Sequence, residues 1–155
     1  MKHLEHAVPF AELMPLIEDS LRQGLRVTLT VSGRSMRPLF SHKRDSVILS
    51  ACDPYSLKRG DVPLYRRDDG QYVLHRIVRV SENGYTLTGD AQWELETDLP
   101  KDHVLAVMTG FVRKGKTVDC DNFGYRVYVA LWLWLLPLRP HIVRAFRFFH
   151  RRRTK

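Results

Sequence analysis

The sequence predicts a mainly β fold, and three observations carry that expectation. Six segments of strand length, apolar or alternating, occupy much of residues 27–112. Asp69-Gly70, Asn83-Gly84 and Lys114-Gly115-Lys116 fall between or after them, where antiparallel neighbours need tight reversals. Helical patterning is confined to the two ends of the chain. At 155 residues the length suits one ordinary domain with a real core.

In chain order the first element is "PFAELMPLIEDSLRQG", where Phe10, Leu13, Ile17 and Leu21 recur at helical spacing. Gly24 supplies the stop and Pro15 adjusts the early turns, so residues 1–26 predict a short amphipathic helix. Strands are expected at 27–31, 47–50, 62–66, 72–80, 85–88 and 104–112. Near 121–124 the patterning changes, and "YRVYVALWLWLLPLRPHIVRAFRFFHRRRTK" follows, aromatic and basic throughout. Three parts result: a helix at 1–26, a β domain at 27–120 and a separate helical tail at 121–155. The β domain is expected to stay folded without the tail.

The net charge of +8 belongs to that tail. Eight of the 25 basic residues lie from Arg126 onward with no acid, which leaves 17 against the 17 acids before it. Tyr125, Tyr128, Trp132, Trp134, Phe146, Phe148 and Phe149 interleave with the arginines, a composition suited to the headgroup region of an anionic membrane. The apolar run at 127–138 contains Pro137 and falls short of the roughly 20 residues a spanning helix needs. The expectation is peripheral attachment to an anionic membrane surface, on the cytoplasmic face; the alternative is that the tryptophans complete the core. Nucleic acid is disfavoured, because the tail carries no reading motif and 26 N-terminal residues are too few for a helix-turn-helix domain. Cys52 and Cys120 form no disulfide framework, which fits a reducing compartment, and neither thiol is assigned chemistry. No metal or cofactor is expected.

One stretch interrupts the β pattern in a way that suits chemistry: "VSGRSMRPLF". Gly33 permits backbone angles that other residues resist, and Pro38 fixes the exit, so the turn can present the Ser35 hydroxyl. A serine nucleophile needs a base. His3, His6, His141 and His150 lie in the ends and His42 and His103 in polar connections, whereas His75 lies inside "YVLHRIVRV", the longest strand expected in the core. On strand alternation it shares a face with Val73 and Ile77 while Arg76 points the other way. A core histidine satisfied by a backbone carbonyl is the plain alternative.

"SGRSMRP" resembles the nucleophile box of the S24/S26 peptidase group, the type I signal peptidases and LexA-like peptidases. "RDSVIL", "RGDVPLY", "VLHRIV" and "LTGDAQ" are similar, in the same order, to the boxes that follow it, over residues 31–92. The resemblance implies a signal-peptidase-like or LexA-like catalytic β-fold acting as a serine endopeptidase, with Ser35 as nucleophile and His75 as general base. Many members use a lysine there; the endoplasmic-reticulum, archaeal and some sporulating-bacterial signal peptidases use histidine. Asp90 in "TGDAQ" and Asp98 in "LETDLP" are the expected orienting acids, with Glu96 as a substitute and Asp90 alternatively a brace for its loop. Gly33 takes the position where signal peptidases place a hydroxyl, and Ser32 lies one residue early, so oxyanion support would rest on backbone N–H groups, that of Ser35 included. Asp45 and Asp61 match positions that hold turns.

Substrates implied by the group are extended signal or leader peptides, or preproteins, with small residues before the cut, bound as an added strand. Residues 1–26 are too polar for the membrane helix that precedes the serine box in signal peptidases. That favours a leader-peptide or self-processing LexA-like protease as a variant reading. The rival of another class is a catalytically silent peptidase-fold protein that binds peptide at the membrane surface.

Overall fold

The computed structural model describes residues 10–152. Helix α1 (Phe10–Arg22) forms as its spacing requires: Met14, Ile17 and Leu21 make one buried face, while the opposite side stays in solvent. Pro15 is accommodated inside it.

Nine strands follow: β1 (Val27–Thr30), β2 (Ser46–Ser50), β3 (Pro63–Arg66), β4 (Tyr72–Leu74), β5 (Arg76–Val80), β6 (Tyr85–Thr88), β7 (Glu96–Leu99), β8 (Val104–Arg113) and β9 (Lys116–Asp119) among the described residues. All pair antiparallel, in a curled sheet ordered β1-β2-β8-β3-β4 with β9 also on β8, and a smaller sheet ordered β5-β6-β7. The described residues are mainly β, as the patterning predicts, with three α-helices toward the two ends. Strand β8 is the hub, since its ten residues pair with β2, β3 and β9.

The strand expected at 72–80 is two strands in two sheets. β4 pairs with β3 in the larger sheet and β5 with β6 in the smaller, and the chain crosses between them at His75. Two strands escape the patterning. β7 is half acidic and presents no apolar alternation, and it forms because β6 offers an open edge: Tyr85 faces Leu99 and Leu87 faces Glu96. β9 is a consequence of its turn, where Lys114 (φ 49) and Gly115 (φ 77) both take the positive φ of a type I′ hairpin and align Arg113 with Lys116.

The larger cluster joins the buried face of α1 to Met36, Leu39, Phe40, Val47, Leu49, Leu64, Met108 and Phe111. A second cluster, with Tyr65, Ile77, Tyr85 and Leu87, fills the space under the smaller sheet. Helix α2 (Phe123–Trp134) adds Tyr125 to the first cluster, with Tyr128 and Val129 packed against it. The expected boundary near residue 121 therefore separates segments that share a core, and the tail is not detached there. A 3-10 turn (Leu136–Leu138) leads into α3 (Arg139–Arg152). The expectations that fell on His3, His6, Arg153 and Lys155 lie outside the described residues.

Asp45 and Asp61 hold turns as expected. The fully buried Asp45 carboxylate accepts from the Ser41 N–H and the Arg44 guanidinium at 2.8 Å, and Asp61 caps the Lys58 N–H at 2.8 Å. Cys52 and Cys120 are free thiols, and burial pushes each up to about 11, where a thiolate is scarce at neutral pH.

Candidate active site

The serine turn is anchored from below. Met36, Leu39 and Phe40 are buried, which pins the turn to the core and leaves Ser35 half-buried and Ser32, Gly33 and Arg34 exposed. Gly33 sits at φ +108, a conformation that needs glycine, and its N–H donates to His42 Nδ1 at 2.8 Å. His42, placed by sequence in a polar connection, thus holds the start of the turn.

The segment after β6 closes on Ser35 from the other side. The Ala91 N–H donates to the Ser35 carbonyl at 2.8 Å. Gly89 approaches so closely that a Cβ there would lie 2.5 Å from the Ser35 carbonyl oxygen and 3.0 Å from its Cβ. Arg76 pairs with Thr88 across β5 and β6. His75 immediately precedes Arg76 and Gly89 immediately follows Thr88, so both lie at the same end of that strand pair. Gly89 thus touches the serine turn at the strand-pair end where the histidine corner lies. Sequence reasoning quoted it only within "LTGDAQ"; the available signal was the glycine at a strand end.

His75 is buried against the Tyr65 ring and is held through one nitrogen. Its Nδ1 lies 3.1 Å from Glu96 Oε1 and 3.3 Å from the Tyr65 hydroxyl; the Ser35 hydroxyl is not among its partners. Glu96 is held in turn by both Arg67 Nε, at 2.9 Å, and Arg67 Nη2, and also bonds Tyr65. Burial pushes the Glu96 carboxyl upward, but Arg67, Tyr65 and His75 together leave it below the ordinary carboxylate range. Glu96 is therefore an anion at neutral pH. The His75 N–H donates to it through Nδ1, which leaves Nε2 as the acceptor. Burial lowers the His75 pKa below 6.5; the Glu96 anion opposes this without reversing it, so the imidazole is neutral at pH 7.

The two expected orienting acids are elsewhere. Asp90 is fully buried and accepts from Arg76 Nε and Nη2 at 2.8 Å and from the Tyr128 hydroxyl at 2.9 Å. Its backbone carbonyl accepts from Trp132 Nε1 at 3.1 Å. Asp90 is thus the brace of the 89–91 segment, the lesser of the two roles considered for it. Asp98 is exposed, at φ 54, and lines an open pocket with Asp68 and Asp69. The carboxylate that meets His75 is that of Glu96, displaced from the expected positions because Glu96 and not Asp98 pairs opposite Leu87.

Arg139, from the start of α3, completes the brace. It is 1% exposed and donates to the carbonyls of Gly89, Gln92 and Trp132 at 3.2–3.4 Å. Sequence reasoning counted Arg139 as a tail cation. No cluster of three or more metal-ligating side chains occurs among the described residues.

Chemically, the arrangement offers a neutral imidazole oriented by an anion, at the strand-pair end where a glycine-bordered turn carries a hydroxyl. No family model matches the chain, and no curated protein or solved structure matches it.

Proposed function

We propose that the chain is a serine endopeptidase of the signal-peptidase or LexA-like type, acting on signal or leader peptides through Ser35, His75 and Glu96. The observation that carries this reading is the Glu96–His75 contact at the strand-pair end where Gly89 meets Ser35, because an acid-oriented neutral imidazole serving a presented hydroxyl is the apparatus of acyl transfer. The S24/S26 fold is part of the same proposal.

Ser35 Oγ attacks the scissile carbonyl carbon while its proton passes to His75 Nε2. The imidazolium is stabilised by Glu96, and the oxyanion is met by backbone donors that include the Ser35 N–H. The C–N bond then breaks, His75 returns the proton to the leaving amine, and an acyl-serine remains. Water, deprotonated by His75, releases the acid and restores the hydroxyl.

One observation favours the rival reading of a silent peptide-binding fold: His75 spends its hydrogen bonds on Glu96 and Tyr65 and none on the Ser35 hydroxyl. Catalytic hydrogen bonds often close only when substrate binds, so the free chain is compatible with both. The test is to treat the protein with an active-site serine phosphonate and map the adduct by mass spectrometry. Modification at Ser35, lost in His75→Ala, supports the peptidase. Labelling at another residue, or none, supports the silent fold.

A further inference from the structure

Helix α2 is apolar on two opposite faces. The inner face supplies Tyr125, Tyr128, Val129, Trp132 and Leu133 to the core and to the Asp90 segment. Gly60, at φ +102, makes room for it, since a Cβ there would stand 3.0 Å from Val129 Cγ1. The outer face consists of Phe123, Val127, Leu131 and Trp134, which are 82, 40, 55 and 73% exposed. Spacings of four, four and three residues place these side chains within an arc of about 80° at the helical angle per residue. Leu138, 51% exposed, follows in the next turn.

A contiguous apolar stripe of this kind on the surface marks a partner. We infer that the outer face of α2 docks on an anionic lipid surface, with the helix lying in the headgroup plane. The charge pattern selects this occupant. After Asp121 the chain has no acid and seven cations besides the buried Arg139, and Arg126 lies exposed beside the stripe. A second copy docked stripe to stripe would bring two such sets of cations together with no carboxylate from this segment to answer them. Nucleic acid would answer the charge and leave Phe123, Leu131 and Trp134 unburied. An anionic bilayer surface takes both, with the indole of Trp134 at headgroup level.

The helix lies on the bilayer and does not cross it. Its twelve residues span ~18 Å against a hydrocarbon core of ~30 Å. No described helix is long and apolar enough to cross a membrane. The inner face of the same helix grips Asp90, so the lipid plane would hold a fixed orientation to the Gly89–Ser35 contact. This inference stands apart from the peptidase reading, and its test needs no activity.

The test floats the full chain with phosphatidylcholine vesicles that contain or lack phosphatidylglycerol, at low and high salt. Binding to the anionic vesicles is expected, weaker by about tenfold on pure phosphatidylcholine or in high salt because only the electrostatic part is screened. The double variant Leu131→Glu, Trp134→Glu should lose flotation with its thermal unfolding unchanged, since both side chains are exposed. Leu16→Glu, another exposed leucine off the stripe, should float like the parent. The inference is overturned if the parent does not float, or if the double variant floats as well as the parent. It is also overturned if the stripe instead mediates a sedimenting dimer without vesicle binding, or if duplex DNA displaces the vesicles and the double variant still binds it.

Discussion

Glu96 Oε1 stands 3.1 Å from His75 Nδ1, and that contact decides which ring nitrogen is free to accept a proton. With the Nδ1 proton committed to a carboxylate held by Arg67, Nε2 is the basic atom. Glu96→Gln keeps the shape and removes the anion. It is expected to lower kcat on a peptide substrate by about 10²–10⁴-fold. It should also move the acidic limb of the rate profile to lower pH, since the Glu96 anion raises the His75 pKa. A purely structural role for Glu96 would not shift that limb; Asp98→Asn, at an exposed position, should leave both quantities unchanged.

On the peptidase reading, the parent chain should itself gain activity as pH rises through a midpoint below 6.5, and then level off. His75 must be neutral to take the serine proton, and burial has lowered its pKa from the ordinary value. Initial rates from pH 4.5 to 9 test this. A midpoint well above 6.5 would mean that some other group is the base.

Gly89→Ala is expected to abolish cleavage. The added methyl would meet the Ser35 carbonyl oxygen at 2.5 Å, which is backbone and cannot rotate away. Either Ser35 or the 89–91 segment has to move, and a displacement near 1 Å at a reacting group costs on the order of 10²-fold in rate. Comparing kcat/KM with the thermal midpoint separates this local effect from unfolding.

Asp90→Ala should destabilise the fold by about 3–5 kcal/mol, because it strands the Arg76 guanidinium, which is fully buried. Urea unfolding at pH 7 measures this.

A chain ended at Asp121 is expected to lose its cooperative unfolding transition or to unfold well below the full-length midpoint. It would lack Tyr125 from the main cluster, the Tyr128 and Trp132 bonds to Asp90, and Arg139 on the Gly89 carbonyl. Calorimetry on the shortened chain decides; an unchanged transition would restore the separate tail that composition alone suggested.

Local signals made much of this legible. The apolar spacing of α1, the strand at Tyr85–Thr88 and the Gly-containing turns are short-range facts, and the sequence predicts them with little displacement. Strand β7 was not legible, because its pairing is imposed by the free edge of β6 and not by its own acidic residues. The same blindness left Glu96 only a substitute behind Asp90 and Asp98: which carboxylate meets His75 depends on how Leu87 aligns with β7, a long-range register no local pattern states. Arg139 read as one more tail cation because burial against Gly89 is settled by how α2 docks.

His75 and Arg76 are adjacent, yet one turns to Glu96 and the other to Asp90. Were the chain to slip by one residue along β6, Arg76 would take the place of His75 in one direction, and His75 that of Arg76 in the other. In the first case a permanent cation would meet Glu96 where Arg67 already stands; in the second an imidazole would face a cage shaped for the five-donor guanidinium fork. Each neighbour rejects the other's seat, so a slip in either direction is penalised. The dipeptide thereby proofreads the alignment of the smaller sheet, and a chain that reaches the wrong alignment does not retain a half-working site.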